Sequence, residues 1–273
     1  MINGKGESGL NKIRIGIIMA TLLLVLVGCS NDNPASEGNG TSKTDKVELH
    51  ISAAASLTDA LDDFKKTYEK EHENVELTFM YGGSGKLATS IENGAPADVF
   101  LSASKKDMDT LEDKDLLDAS TRTDFTENVL VLIANEDSES ALTSFEEIDP
   151  ATIDHFVIGE PESVPVGRYT KEVFEHLKLW EPMQDKLVLA SDVRQVLTQV
   201  ELGNADYGVV YSSDAFISDK VKVIAESDPS WHEPIVYPGA ILKESKHVEE
   251  AQQFFDALLG DPGQKTLAKY GFK

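Results

Sequence analysis

Four short segments of the chain combine small residues, hydroxyl groups and glycine in an order that suits the binding of an anion. Each follows a candidate strand and opens a candidate helix; the segments are 53–58 (AAASLT), 81–86 (YGGSGK), 165–168 (PVGR) and 191–194 (SDVR). Backbone N–H groups at the start of a helix lack a partner within the helix and carry partial positive charge, which favours a bound anion. The glycines in these segments let the backbone approach a ligand closely. We therefore expect the four segments to offer neutral hydrogen-bond donors to one small oxyanion.

The type of donor also predicts which anion is preferred. A dianion held by neutral groups is stabilised by many short, charge-assisted hydrogen bonds. We expect no carboxylate acceptor at the site, so an anion that brings a proton of its own would leave that proton without a partner. Phosphate carries such a proton near neutral pH. The pattern therefore favours sulfate-like or molybdate-like ions.

Other interpretations of the same residues are open. Ser56 and Asp192 are also typical helix N-caps, and 82–85 is also typical of an ordinary turn. The same turn falls short of two catalytic motifs: a nucleophile elbow needs glycine where Lys86 stands, and a P-loop needs Ser or Thr where Leu87 stands. The six histidines show no metal-ligand spacing, so we expect them to be solvated or capping residues. We do not expect an enzyme.

Hydrophobic runs alternate with helical patterns through most of the chain. Candidate strands are 47–53, 75–81, 98–102, 129–134, 155–159, 187–190, 207–211, 221–225 and 235–242. One helical face is predicted after the first strand, where apolar residues recur at helical spacing: Leu57, Ala60, Leu61, Phe64 and Tyr68. Similar patterns mark helices over 169–177 and 193–202, and a last helix begins at 248. The alternation predicts an α/β fold with parallel sheets covered on both faces.

The N-terminal region has the pattern of a targeting signal rather than of a folded element. Two basic residues precede an apolar run over 15–27, which is too short for a comfortable transmembrane helix and typical of a secretory signal peptide. The run ends in Leu-Val-Gly-Cys, which resembles the lipobox of bacterial lipoproteins, with Cys29 as the lipidated residue. A buried free cysteine and an uncleaved anchor helix are the alternatives. Residues 29–45 are polar and predict a flexible tether.

Size and charge limit the classes of function. About 228 residues follow the tether, which is enough for one large or two medium α/β domains. The net charge of −23 argues against a nucleic-acid partner. Because the overall field repels anions, any anion must be bound by a local arrangement of donors.

The motifs together resemble the periplasmic molybdate-binding proteins of bacterial ABC importers. The segments that carry the resemblance are 53–60 (AAASLTDA), 94–100 (GAPADVF), 164–169 (VPVGRY), 192–194 (DVR), 210–215 (VYSSDA) and 270–272 (YGF). The resemblance covers nearly all of residues 46–273. It implies a two-lobed type II periplasmic-binding-protein fold in which each lobe is a mainly parallel sheet flanked by helices and the ligand lies in the cleft. We expect a signal peptide over 1–28, a tether over 29–45, lobe I over 46–127 plus 237–273, and lobe II over 128–236.

The resemblance also implies the ligand and its contacts. Ser56 and Ser84 would donate through hydroxyl and N–H groups, Val166 and Val193 through backbone N–H groups, and Tyr211 through its phenol. The ligand would be molybdate or tungstate, with the molybdenum held as its oxyanion and no protein atom bound to the metal. No cofactor is implied. The expected partners are the membrane subunits of an ABC importer, and the expected location is extracytoplasmic, lipid-anchored to the cell membrane, as a monomer.

Two alternatives differ from this hypothesis in ligand or in class. The first is a receptor for another tetrahedral oxyanion such as sulfate. The second is a surface lipoprotein with no role in transport, since the acidic helical stretches 62–70 and 105–118 could form an interaction surface as well as a solvated face. A receptor should gain thermal stability with its ion, whereas an adhesive protein should not.

Overall fold

The computed structural model describes residues 46–139 and 142–273. The predicted signal peptide, Cys29 and the predicted tether lie outside the described residues. Among the helices that are described, none is long and apolar enough to cross a membrane.

The first of two five-stranded sheets in the described residues is built from both ends of the folded part of the chain. Its strands are β1 (Val47–Ala54), β2 (Val75–Gly82), β3 (Val99–Leu101), β4 (Thr123–Glu127) and β10 (Val236–Ile241). They lie in the order β2-β1-β3-β10-β4. The helices with them are α1 (Thr58–Glu71), α2 (Ser84–Glu92), α3 (Lys105–Asp113), α8 (Val248–Leu259) and α9 (Asp261–Lys269). We call this sheet and these helices lobe I.

The second sheet is built from the middle of the chain. Its strands are β5 (Leu130–Asn135), β6 (Phe156–Gly159), β7 (Leu187–Ala190), β8 (Tyr207–Tyr211) and β9 (Val221–Glu226), in the order β7-β6-β8-β5-β9. Its helices are α4 (Pro165–His176), α5 (Trp180–Met183), α6 (Val193–Glu201) and α7 (Ser212–Phe216). We call this sheet and these helices lobe II.

Both sheets are mixed, which corrects the expectation of mainly parallel sheets. The strands β1, β2 and β3 pair in parallel, as do β6, β7 and β8, but β10 runs antiparallel to β3 and β4, and β5 runs antiparallel to β8 and β9. The two strands that break the parallel pattern, β5 and β10, are each the first strand after the chain crosses from one lobe to the other. Strand β4 was absent from the sequence prediction because its five residues, TDFTE, include one apolar side chain.

Strand register brings the predicted donor segments together in pairs. In lobe I, Ala54 at the end of β1 pairs with Gly82 at the end of β2, so the two following turns begin side by side. In lobe II, Gly159 at the end of β6 pairs with Ala190 at the end of β7 in the same way. Helices follow parallel strands at this edge, so each pair of strands delivers two helix N-termini to one place.

Burial of the amphipathic helices fixes these turns in position. The buried residues of α1 include Leu61, Phe64 and Tyr68 of the predicted face. Phe64 and Tyr68 pack on Phe254 of α8, with ring centroids 5.9 and 5.6 Å apart. Each large apolar side chain buried in this way contributes about 1.5–3 kcal/mol relative to exposure, so the C-terminal helices hold the first helix firmly against the sheet.

The chain passes between the lobes twice, after β4 and before β10. The two crossing segments are hydrogen-bonded to each other, because the Asn128 N–H donates to the carbonyl of Ile235 at 3.1 Å. The last residue, Lys273, pairs with Glu127 through two backbone hydrogen bonds of 3.1 Å. The connection between the lobes is therefore a narrow, ordered strip of backbone.

Candidate anion-binding site

A small cavity lies where the carboxyl ends of the strands of the two sheets face each other; its empty space, counted with the part open to solvent, is about 190 Å³. All five residues that the resemblance implies as ligand contacts line it: Ser56, Ser84, Val166, Val193 and Tyr211. The remaining lining residues are alanine, glycine, proline and valine, and no charged side chain is among the described residues that line the cavity. The cavity therefore offers hydrogen-bond donors without a charged partner.

Three helix N-termini, two from lobe II and one from lobe I, lie at this cavity. Ser84 is the first residue of α2, Val193 is the first residue of α6, and Val166 is the second residue of α4 after Pro165. The first N–H groups of a helix have no acceptor within it. Proline at the first position of α4 leaves Val166 as the first residue of that helix with an N–H to give.

Asp192 acts as the N-cap of α6, as one interpretation of the sequence predicted. Its carboxylate accepts from the N–H of Gln195 at 2.9 Å. The cap therefore provides an acceptor for the N–H of the third residue of the helix and leaves the N–H of Val193 for another acceptor.

Ser56 does not cap a helix, so the capping interpretation of this residue is wrong. The chain makes one 3₁₀ turn, Ala55–Leu57, before α1 begins, and the position before α1 belongs to Leu57. The Ser56 hydroxyl instead lies 2.9 Å from the hydroxyl of Tyr237. Its side chain is 2% exposed, so its hydrogen bonds are made inside the protein or with a ligand.

Ser84 is held by a neighbouring loop of the same lobe. Its Oγ accepts from the backbone N–H of Ala103 at 3.0 Å, and the residue is fully buried. With its oxygen engaged by a backbone donor, the hydroxyl proton of Ser84 is left for an acceptor in the cavity.

Tyr211 ends strand β8 and brings its phenol into the cavity. The hydroxyl is buried without a hydrogen-bond partner. Leaving such a group unsatisfied costs about 1–3 kcal/mol. Burial also raises the pKa of Tyr211 well above its usual value, so the phenol stays protonated and can donate. An anion that accepts this hydrogen bond would remove the cost.

Arg194, next to Val193, ties the two lobes together behind the cavity, a role that was not predicted from the sequence. Its Nη2 lies 2.6 Å from Oδ2 of Asp59 in lobe I, and its Nε lies 2.8 Å from Oδ1 of Asp214 in lobe II. Asp214 is fully buried, and burial raises its pKa to about 6 although the Arg194 charge opposes the rise. The arginine in the segment 192–194 was the available signal, but its partners are distant in sequence.

Two further contacts join the lobes beside the cavity. The N–H of Gly85, in α2, donates to the carbonyl of Ser163, in lobe II, at 3.0 Å. Arg168 of α4 forms an ion pair with Asp107 of α3, and both side chains are largely buried. Burial raises the pKa of Asp107 despite the arginine. The lobes thus meet through specific polar contacts on several sides of the cavity.

A larger cleft, open to solvent, lies at the opposite ends of the lobe I strands. Its buried carboxylate, Asp98, already accepts from the N–H of His50 and from the hydroxyl of Ser245. Across residues 46–139 and 142–273, no group of three or more His, Cys, Asp or Glu side chains could hold a metal ion. The small cavity, with its unpartnered phenol, is therefore the candidate site.

Known proteins with similar sequences and structures agree on the class. A family model described as bacterial extracellular solute-binding protein matches residues 49–273. The protein named "Putative ABC transporter substrate-binding lipoprotein YvgL" of Bacillus subtilis is 41% identical over 261 residues, 96% of this chain and 98% of the relative. The molybdate-binding protein ModA of Haemophilus influenzae is 38% identical over 240 residues, 86% of this chain and 93% of the relative.

A solved structure supports the fold. The periplasmic molybdate-binding protein of Azotobacter vinelandii superposes with a TM-score of 0.73 at 24% identity, over 82% of this chain and 98% of that one. The predicted two-lobed periplasmic-binding-protein fold is confirmed, and the family is one of binding proteins rather than enzymes. The chain belongs to the bacterial extracellular solute-binding proteins.

Proposed function

We propose that this chain is a receptor for molybdate, and for tungstate, that binds the ion in the small cavity and delivers it to the membrane subunits of an ABC importer. The ligand named for the Haemophilus influenzae relative supports molybdate as the first candidate. The proposed contacts are Ser56, Ser84, Val166, Val193 and Tyr211, none of which is charged.

The observation that carries the proposal is the convergence of donors without acceptors. Residues at three helix N-termini, two serines and a tyrosine with an unpartnered phenol line the small cavity. A tetrahedral dianion has four oxygens that can each accept several hydrogen bonds, and helix N-termini stabilise negative charge. An uncharged or cationic solute would leave most of these donors without a partner.

The same arrangement accounts for discrimination against protonated anions. The carboxylates near the cavity form ion pairs with arginines and do not line it: Asp59 and Asp214 lie beside Arg194, and Asp107 lies beside Arg168. Hydrogen phosphate would bring an O–H group to a cavity lined by donors, and burying an unmatched polar group costs about 1–3 kcal/mol.

Calorimetry with molybdate, tungstate, sulfate, phosphate and chromate tests the proposal. We expect tight binding of molybdate and tungstate, and phosphate binding at least roughly a hundredfold weaker, which is about 2.7 kcal/mol. Comparable phosphate affinity would contradict the argument from missing acceptors. Sulfate binding tighter than molybdate would instead identify the chain as a sulfate receptor, the alternative that the sequence left open.

We also propose that the receptor is held at the outer face of the cell membrane by a lipid on Cys29 and acts as a monomer on the tether 29–45. The lipobox-like sequence and the lipoprotein name of the Bacillus subtilis relative support this. A Cys29→Ala protein should be lost from the membrane fraction, while Ser30→Ala, one residue further on, should remain there. Retention of the Cys29→Ala protein in membranes would show that another segment anchors it.

A further inference from the structure

Behind Ser56 runs a chain of buried hydrogen bonds that begins on the segment joining the lobes. Asn128, directly after β4, places its Nδ2 3.4 Å from the hydroxyl of Tyr237 in β10. The Tyr237 hydroxyl in turn lies 2.9 Å from Oγ of Ser56. Asn128 is largely buried and Tyr237 fully buried, so solvent does not compete for these bonds. The direction in which each proton points determines what Ser56 can offer to a ligand.

The orientation of the Asn128 amide is fixed by its neighbours. Its Oδ1 accepts from the backbone N–H of Val129 at 2.9 Å, and a backbone N–H can only donate. The hydroxyl of Ser212 also donates to the same oxygen, at 2.9 Å. The amide nitrogen must therefore be the atom that faces Tyr237 and the Ser213 hydroxyl, 2.8 Å away. An amide nitrogen donates and does not accept.

The phenol of Tyr237 consequently has one direction left for its own proton. It accepts from Asn128, and among the described residues its other hydrogen-bond partner is Oγ of Ser56. Burial raises the pKa of Tyr237 well above its usual value, so the proton is present. If Ser56 donated to the phenol instead, the phenol proton would be buried without an acceptor, at a cost of about 1–3 kcal/mol. The phenol therefore donates to Ser56.

Ser56 is then left as a donor toward the cavity. Its oxygen receives the Tyr237 proton, and its own proton has no other hydrogen-bond partner among the described residues. Ser84 is likewise left as a donor, because its oxygen accepts a hydrogen bond from the N–H of Ala103. Both serines thus face the cavity with a proton, although a free serine hydroxyl could equally well accept.

We infer that Tyr237, held by Asn128, is a positioning residue that makes Ser56 a donor and thereby sets the preference of the site for an oxyanion without a proton. The inference rests on the proposed function and adds its source of selectivity. Tyr237 touches no ligand in this scheme; it acts through the serine by occupying one of its two lone pairs and directing the serine proton to the cavity, where the O–H group of a hydrogen phosphate or hydrogen arsenate ion would meet a donor.

The test is the ratio of phosphate to molybdate dissociation constants in Tyr237→Phe. The change removes only the hydroxyl that contacts Asn128 and Ser56. It keeps the ring, which packs on Phe125, Tyr211 and Phe272. Molybdate binding should weaken about tenfold and phosphate binding should stay the same or improve, so the ratio of the two dissociation constants should fall at least roughly tenfold, which is about 1.4 kcal/mol. A loss of packing alone would weaken both ions equally and leave the ratio unchanged.

Tyr68→Phe is the matched control. Its hydroxyl is also buried and has no hydrogen-bond partner, but it lies on α1 away from the cavity, against Phe254. Both dissociation constants should equal those of the wild type. Thermal unfolding without ligand verifies that Tyr237→Phe is folded before binding is measured.

A double-mutant cycle with Ser56→Ala decides whether Tyr237 acts through the serine. In the Ser56→Ala background, Tyr237→Phe should produce no further narrowing of the ratio, because coupled residues are not additive. Full additivity, or an unchanged ratio in folded Tyr237→Phe, would overturn the inference while leaving the proposed function in place. A wild-type protein that binds neither molybdate nor tungstate would overturn the proposed function and this inference with it.

Discussion

The folded protein buries the hydroxyl group of Tyr211 without a hydrogen-bond partner. This group should therefore contribute to ligand affinity and not to the stability of the protein without ligand. Tyr211→Phe removes that group and keeps the ring. We expect molybdate affinity to fall by roughly 1.5–3 kcal/mol, the size of a hydrogen bond to a charged group. Without ligand, the free energy of unfolding should stay the same or rise, because an unsatisfied buried hydroxyl is lost. Urea unfolding and calorimetry measure the two quantities separately, and a loss of both together would contradict the assignment.

Asp214 should make the stability of the protein depend on pH. Its pKa of about 6 in the folded state lies above the ordinary value of 3.8, so the folded protein holds this proton more tightly than the unfolded chain. Protonation of Asp214 therefore contributes roughly 2 to 3 kcal/mol to the free energy of unfolding. This contribution is fully present below about pH 4 and is lost as the pH rises through about 6. In Asp214→Asn that loss should be absent. Unfolding free energies of both proteins at pH 4, 5 and 6.5 provide the test; a difference between them that stays constant with pH would contradict it.

Reasoning from the sequence located the cavity-lining residues but not the groups behind them. The resemblance to a known family implied Ser56, Ser84, Val166, Val193 and Tyr211, which all line the cavity, and strand register brings the turns of the first four together in pairs within each lobe. The partners behind the cavity belong to segments far apart in the chain: Tyr237 lies 181 residues from Ser56, and Asp59 lies on the helix that follows another strand. The first contact follows from the insertion of β10 into the lobe I sheet and the second from the packing of lobe I on lobe II, and no local pattern specifies either.

Helix α6 offers a way to remove a backbone donor without disturbing the fold. Proline is tolerated at the first position of a helix, where its missing N–H has no partner in the helix. Asp192, the residue before it, is already extended, with φ −165° and ψ 173°, as a residue before proline prefers. The proline backbone should therefore add no loss of thermal stability beyond that of the missing buried valine side chain, while molybdate binding should weaken by roughly 1.5–3 kcal/mol.

Val193→Ala is the control for this prediction. It shortens the same side chain and keeps the N–H, so molybdate affinity should remain within about twofold of the wild type while core packing costs some stability. Equal affinities for the alanine and proline proteins would show that the Val193 N–H does not reach the ion.

Helix α2 meets lobe II so closely that a side chain at Gly85 does not fit. A Cβ there would lie 2.8 Å from the carbonyl oxygen and 3.0 Å from the Cα of Ser163, and backbone atoms cannot rotate away. The N–H of Gly85 is already engaged by that carbonyl, so this residue is not a ligand donor. Gly85→Ala should keep the lobes apart and weaken molybdate binding by about 1–3 kcal/mol, mainly through faster dissociation in stopped-flow measurements.

Gly94→Ala, at the other end of α2, is the matched control. Its added methyl group meets nothing within 4 Å, but its φ of +86° strains any residue with a Cβ, by about 1–2 kcal/mol. The control should therefore lose stability and retain affinity, the reverse of Gly85→Ala. Wild-type dissociation rates in Gly85→Ala would contradict the steric argument.

At the scale of elements, periodicity predicted most strands and the faces of the main helices, and it was wrong where polar residues form a strand or where strand direction changes. The buried residues of α6 match the predicted face. Strand β4 was missed since its pairing with β10, rather than its apolar content, makes it a strand. The antiparallel direction of β5 and β10 follows from their position beside the crossings, which alternation of strands and helices does not reveal.

The whole molecule should change its dimensions when an ion binds. Two short segments join the lobes, and the other contacts around the cavity, including those of Arg194 and Gly85, cross from one lobe to the other. Such an arrangement favours a hinge motion that closes on the ligand. Small-angle scattering should show a smaller radius of gyration with saturating molybdate than without ligand, and no change with the same concentration of chloride. Identical scattering curves with and without molybdate would contradict a closing motion.

The strand order also determines when each half of the molecule can be completed during synthesis and export. Strand β10 lies between β3 and β4, although it is made more than a hundred residues after them, whereas all strands of the lobe II sheet lie within 130–226. The lobe II sheet can therefore form from a continuous stretch of chain, while the lobe I sheet must keep a gap open until the last residues arrive. Since closing such a long loop slows folding, we expect lobe I, whose first strands leave the ribosome before all of lobe II, to become native after lobe II.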